Sequence, residues 1–180
     1  MLLVVDNGSV YTKNLLEFLS NLNRPYHVST HDKISQDELQ KYETFILSGR
    51  RNNNSQMNAK NTAIIKHAIS NKNSLLGICY GAEILALTAG GTIKKMTSIH
   101  KGDENVSILQ KNPLCIGEIS VFESHNYEIS KLGNHIIPIG RSKRCNNEII
   151  WYRDSKIFGT QFHPEMSPDG HKIIENFCNL

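Results

Sequence analysis

One of the four cysteines stands where chemistry could use it, in Gly77-Ile78-Cys79-Tyr80-Gly81. The residues before it, Leu75 to Ile78, are an apolar run of the kind that makes a buried strand. Ile84, Leu85, Ala86, Leu87 and Ala89 follow it as a helix, with Gly90-Gly91 as its C-terminal cap. A nucleophile where a strand turns sharply into a helix is the layout of the G-x-S-x-G elbow, whose flanking glycines permit close packing while the strained turn exposes the reactive group. The helix N-terminus behind it offers free N–H groups and a positive dipole end, which favour a thiolate over a thiol. Taken alone, G-x-C-x-G also describes an ordinary buried cysteine. A second segment, Gln161-Phe162-His163-Pro164-Glu165, shifts that balance. Pro164 biases His163 toward an extended backbone, in which residues i and i+2 point the same way, so Glu165 can hold the imidazole in the orientation a general base needs. Cys79, His163 and Glu165 together supply a nucleophile, a base and its orienter.

The elements that must position these groups alternate. Leu2 to Val5 reads as a strand ending in the turn Asp6-Asn7-Gly8-Ser9, and Leu15, Leu19 and Leu22 then recur with helical spacing until Arg24-Pro25. Tyr26 to Ser29 and Thr44 to Leu47 read as strands and Ala59 to Ile69 as a helix, with Ala63, Ile64 and His67 along one side. Strand and helix in alternation imply a parallel sheet covered on both faces, and in such sheets ligands bind at the carboxyl ends of the strands, where Cys79 falls. From Ile116 onward the chain changes to short runs of strand type, at Ile116 to Phe122, Ile136 to Ile139, Glu148 to Trp151 and Lys156 to Phe162, before a last helix at Ile173 to Phe177. Trp151 and Tyr152 are expected in the core.

The bulk properties exclude several classes of function. At 180 residues the chain fits one domain, 1–180. With 39% hydrophobic and 21% charged residues and no long apolar run, no membrane span is expected, and the start Met1-Leu2-Leu3-Val4-Val5-Asp6 lacks the basic opening of a signal peptide, so a cytoplasmic location is expected. The net charge of +3 is small, and its densest patch, Arg141-Ser142-Lys143-Arg144, lies among loop-forming residues, which argues against nucleic acid as a partner. Cys79, Cys115, Cys145 and Cys178 form no C-x-x-C pair and the eight histidines show no H-x-x-x-H spacing, so no metal is expected. Cys115, Cys145 and Cys178 read as packing or surface thiols.

The elbow and the Gln161–Glu165 segment resemble the signature of class I glutamine amidotransferases. The likeness extends to the first strand ending in Asp-Asn-Gly-Ser, to Leu47-Ser48-Gly49 and to an internal Ser124-His125. It implies an α/β fold of flavodoxin-like kind: an open, mostly parallel twisted sheet with helices on both faces and a small antiparallel sheet in the C-terminal half. Carried over by position, it makes Cys79 the nucleophile, His163 the base and Glu165 its orienter. The backbone N–H groups of Tyr80 and of the Gly49-Arg50 loop become the oxyanion hole, and Glu83, Ser124 and His125 border the substrate. The implied reaction is hydrolysis of the side-chain amide of glutamine through a Cys79 thioester, giving glutamate and ammonia. No cofactor is implied in this chain. The ammonia must reach an acceptor enzyme, so the resemblance implies as partner a separate ATP- and Mg-using synthetase subunit, the two forming a heterodimer. Asp6-x-Gly8-Ser9-x-Tyr11-Thr12 and Ser124-His125 look most like the glutaminase units of GMP synthetases, whereas Asp6-Asn7 and Asn14-Leu15 also suit the anthranilate and aminodeoxychorismate branch.

Two positions depart from that pattern. The family usually carries glutamine where Glu83 stands; a carboxylate there accepts a hydrogen bond from the substrate's ammonium but repels its carboxylate. Ser48-Gly49-Arg50-Arg51-Asn52 replaces the usual Ser-Gly-Gly-Pro, and arginine reaches the backbone angles of glycine only at a cost. Two further readings follow from these departures: a hydrolase of gamma-glutamyl amides in the same clan, and a regulatory module that has lost turnover.

Overall fold

The computed structural model describes residues 1–180. Nine strands form one sheet in the order β2-β1-β3-β4-β9-β8-β7-β5-β6. Strands β1 (Leu2–Asn7), β2 (Tyr26–Thr30), β3 (Thr44–Arg50), β4 (Ser74–Ile78) and β9 (Ile157–Thr160) pair in parallel. Strands β8 (Ile149–Tyr152), β7 (Ile136–Arg141), β5 (Thr92–Ile108) and β6 (Glu118–Lys131) pair antiparallel and continue the same sheet beyond β9. The antiparallel part expected in the C-terminal half is therefore an extension of the parallel part. Its longest member, β5, has no counterpart among the runs read from sequence.

The alternation of side chains along β1 explains the layered core. Leu3 and Val5 enter one apolar cluster with Phe45, Leu47, Ile64 and Leu85, under helices α2 (Ser55–Asn71) and α3 (Tyr80–Thr88). Leu2 and Val4 enter the other with Leu15, Leu19, Ile46 and Phe177, under α1 (Thr12–Asn21) and α4 (Pro168–Cys178). Burial on both faces is why these strands read as continuous apolar runs. Trp151 and Tyr152 are half-buried rather than core, because they stand at the end of β8 beside the turn to Ser155, and both rings pack on the rim of the clusters.

Two contacts fix the end of the sheet where Cys79 lies. The side chains of Asn7 and Asn61 exchange hydrogen bonds at 3.1 and 2.8 Å, and Ser48 Oγ accepts from the Asn7 N–H at 2.9 Å, which ties the turn after β1 to α2 and to the end of β3. Gly81, in the first turn of α3, passes so close to β3 that an added Cβ would lie 2.5 Å from the Leu47 carbonyl oxygen. Glycine to alanine inside a helix ordinarily gains about 1 kcal/mol. At position 81 the sign should reverse: Gly81→Ala is expected to lose roughly 1–3 kcal/mol, since backbone cannot yield as a side chain can. Urea denaturation of the two proteins measures the difference, and a Gly81→Ala protein as stable as the parent would refute the close approach.

Candidate active site

Cys79 adopts φ 50° and ψ −100°, a conformation that a residue with a side chain rarely takes. Such strain costs on the order of 1–3 kcal/mol and persists only where neighbours fix it. Here the Cys79 N–H donates to the Thr160 carbonyl at 2.7 Å, and its own carbonyl accepts the Glu83 N–H at 3.0 Å, the bond that starts α3. The turn lifts the thiol out of the strand line. Tyr80 is the first residue of α3, so its N–H belongs to the set that has no partner within the helix.

The base comes from the residues after β9. The His163 N–H donates to the Phe122 carbonyl at 2.9 Å, which pins the loop to β6, and Pro164–Met166 closes into a short 3-10 turn. Nδ1 of His163 lies 2.9 Å from Oε1 of Glu165, leaving Nε2 for the thiol. All three side chains are buried, and the ring of Tyr11 packs against His163 with centroids 4.5 Å apart. Burial, the largest influence on both groups, pushes the Cys79 thiol up and opposes charge on His163. For the histidine, however, Glu165 and Cys79 outweigh burial and hold the imidazole well above its usual range. Burial thus opposes the thiolate that the helix N-terminus favours, and charge separation depends on His163 taking the proton.

A pocket of about 250 Å³ opens beside the thiol, and its wall includes Cys79, Arg50, Tyr80, Glu83, Ser124 and His125. A larger groove of about 760 Å³ lies between Asp103, Glu118, Arg141 and Lys143, but no cysteine, histidine or apolar residue lines it, so the smaller pocket is the candidate site. The two departures from the family pattern meet there. Arg50 reaches Glu83 at 4.0 Å, its guanidinium lies 4.4 Å above the Tyr80 ring and it bonds Asn53, while Gln161 Nε2 donates to Glu83 Oε1 at 3.4 Å. Burial raises the Glu83 carboxyl and Arg50 opposes that rise. A side chain at Gly49 would crowd the base, since a Cβ would fall 2.9 Å from Cε1 of His163.

The structure thus gathers every site residue expected from sequence around one cleft, with one difference in aim. Ser124 receives the Tyr11 hydroxyl at 3.2 Å at the edge of the cleft, but the ring nitrogens of His125 point to the Tyr127 carbonyl and to Glu123. Tyr11, Asn53 and the Phe122 carbonyl are site groups that the sequence alone does not single out. Tyr11 stands in the Gly8-Ser9-x-Tyr11 stretch after β1, whose end adjoins the elbow, while Asn53 and Phe122 carry no signal in the sequence.

The arrangement can carry out acyl transfer from an amide, and comparison with known proteins agrees. The family model for "Glutamine amidotransferase class-I" matches residues 3–180. The A subunit of the glutamine-hydrolyzing GMP synthase of Thermoplasma acidophilum is 30% identical over 98% of this chain and 90% of its own length, and that of Methanococcus maripaludis is 26% identical over 99% and 95%. The crystal structure of a putative GMP synthase A-subunit protein from Thermoplasma acidophilum superposes with a TM-score of 0.88 at 29% identity, covering 99% of this chain and 92% of that one. A glutamine amidotransferase from Thermotoga maritima shares the fold, with a TM-score of 0.79 at 17% identity over 99% of this chain and 82% of that one. An elbow cysteine, a carboxylate-held histidine and a match running from the first strand to the last residue lead to one conclusion: the chain belongs to the class I glutamine amidotransferase family.

Proposed function

We propose that this chain hydrolyses glutamine and supplies the ammonia for GMP synthesis from XMP, acting with a separate ATP-using subunit. The observation that carries the reading is the Cys79–His163–Glu165 constellation on a strained elbow, supported by relatives named as the A subunit of glutamine-hydrolysing GMP synthase. His163 takes the Cys79 proton, and the sulfur of the resulting ion pair attacks the side-chain amide carbon. Negative charge then builds on the amide oxygen against the N–H of Tyr80 and that of the Gly49–Arg50 turn; losing one such donor typically costs about 3–4 kcal/mol. Collapse expels ammonia, protonated by His163, and leaves a thioester that water attacks with His163 again as base, giving glutamate and the free thiol. No step calls for a cofactor in this chain.

Ammonia that escapes into water is protonated and loses its nucleophilicity, so transfer to a docked synthetase follows from the chemistry. Glutamate release from glutamine, measured with the chain alone and with a GMP synthetase ATP-binding subunit plus XMP and ATP, tests the reading. Release that requires Cys79 and rises with the partner is expected; none in either setting from folded protein would reject it. Cys79→Ala should abolish release. Glu165→Gln should lower kcat roughly 100- to 10,000-fold. It should also lower the His163 pKa, detectable as a smaller Cys79 thiolate absorbance at the pH of assay, because the carboxylate that favours the imidazolium is gone.

Glu83 gives a pH prediction. A buried carboxyl with a raised pKa spends more of the acidic range protonated, and a carboxylic acid has one donor and one acceptor, like the amide that the family carries there. As pH rises through the raised pKa, the carboxylate forms and repels the carboxylate of glutamine, so KM for glutamine should rise with pH. Glu83→Gln should flatten that rise while leaving kcat within about threefold. The same pH dependence of KM in both proteins would show that Glu83 does not meet the substrate. The pairing of Glu83 with Arg50 offsets the carboxylate's charge, which weakens the case for gamma-glutamyl amides as the preferred substrate.

A further inference from the structure

Behind the glutamine cleft, strands β5 and β6 hold a second group of side chains that the proposed reaction does not use. His100 and His125 are direct partners across the antiparallel pair, and Glu123 precedes His125 by two residues, so all three project from one face. Opposite Glu123 stands Gly102, which adds no side chain to compete for the space. One ligand atom from each of the three lies within 4.8 Å of the others, and the three residues are 2%, 0% and 4% exposed for His100, Glu123 and His125.

The hydrogen bonding inside this group does not close. Nδ1 of His125 lies 2.6 Å from the Tyr127 carbonyl, which can only accept, so Nδ1 carries the proton. Nε2 of the neutral ring is then a bare lone pair, and it stands 3.0 Å from Oε2 of Glu123, a second acceptor. His100 repeats the pattern: Nε2 faces Glu104 at 3.3 Å and so carries the proton, leaving Nδ1 bare. Nδ1 of His100, Nε2 of His125 and both oxygens of Glu123 have no hydrogen-bond partner. Acceptors gathered in a dry interior repel one another unless a proton or a metal cation lies among them.

We propose that His100, Glu123 and His125 form a binding site for a divalent transition-metal ion, with zinc the best match. Two neutral imidazoles and a carboxylate are the ligand types that zinc takes, and three donors all within 4.8 Å of one another leave room for one ion among them at bonds of about 2.0–2.2 Å. Each imidazole is already oriented by an oxygen on its other nitrogen, His125 by the Tyr127 carbonyl and His100 by Glu104, the arrangement that metal-binding histidines need. The fourth position falls to water or to a neighbouring carboxylate. His125 lines the glutamine cleft, which gives the ion a route in from solvent. Bound there, the ion joins β5 to β6 beside the loop that carries His163.

Cys79→Ala protein, in which the elbow thiol cannot serve as a ligand, should be stripped with a chelator, loaded with zinc, and assayed for retained metal after gel filtration. One equivalent of zinc is expected, with a higher Tm, and the cobalt-loaded protein should show nitrogen and oxygen ligation without a thiolate charge-transfer band. Glu123→Gln and His100→Ala, checked for native circular dichroism, should each weaken binding at least about 100-fold. If His100→Ala fails to fold, the isosteric Glu123→Gln decides. No retained zinc in folded Cys79→Ala protein, or undiminished retention in Glu123→Gln, would overturn the proposal. The first result would mean that these groups share protons with the neighbouring Glu148, the second that the zinc is held elsewhere.

Discussion

The site depends on a backbone conformation that an unconstrained residue would leave. Cys79 sits at positive φ because three things hold it there at once: the parallel pairing of β4 with β9, the Thr160 carbonyl that takes its N–H, and the glycines at 77 and 81 that let the start of α3 settle onto β3 and β4. Relaxing any of them would return the thiol toward the strand line, away from His163. The sheet's hydrophobic layers thus act on the chemistry through geometry, by making the strained turn cheaper than the loss of packing around it.

The electrostatics follow from the same burial. A thiol, an imidazole and two carboxyls share a small dry volume, so no charge among them is independent. His163 is held basic by Glu165 and Cys79 against the pull of burial, and Glu83 is restrained by Arg50. The arginine and the glutamate that depart from the family pattern meet in the wall of the cleft, a buried carboxyl and the cation that opposes the rise of its pKa. Stacking on Tyr80 gives that cation a fixed position.

Much of this is readable from residue order. The triad stands out because each member lies in a short local pattern, and β1, β3 and β4 because strands buried on both faces are apolar along most of their length. What escapes is whatever depends on register. β5 runs for 17 residues through Lys94, Lys95, Lys101, Asp103 and Glu104, with most of its side chains in or near solvent, and its apolar residues are too few to mark a strand. With β5 unseen, His100 cannot be set opposite His125, and an expectation about metals drawn from helical spacing has no view of a cluster assembled across two strands. The Arg50–Glu83 contact is hidden for the same reason: the partners lie on different elements and meet only when α3 docks on β3.

Strand β6 therefore carries two sets of functional groups in alternation. Ser124 turns its hydroxyl to Tyr11 on the triad side, whereas Glu123 and the ring nitrogens of His125 turn into the histidine cluster, His125 also bordering the cleft. With a side-chain period of two, a slip of one residue would exchange the sets. An insertion or deletion within 122–125 is thus not a local lesion. It would turn Ser124 away from Tyr11 and Glu123 away from the histidines together, so this short stretch is constrained in length as well as in residue type.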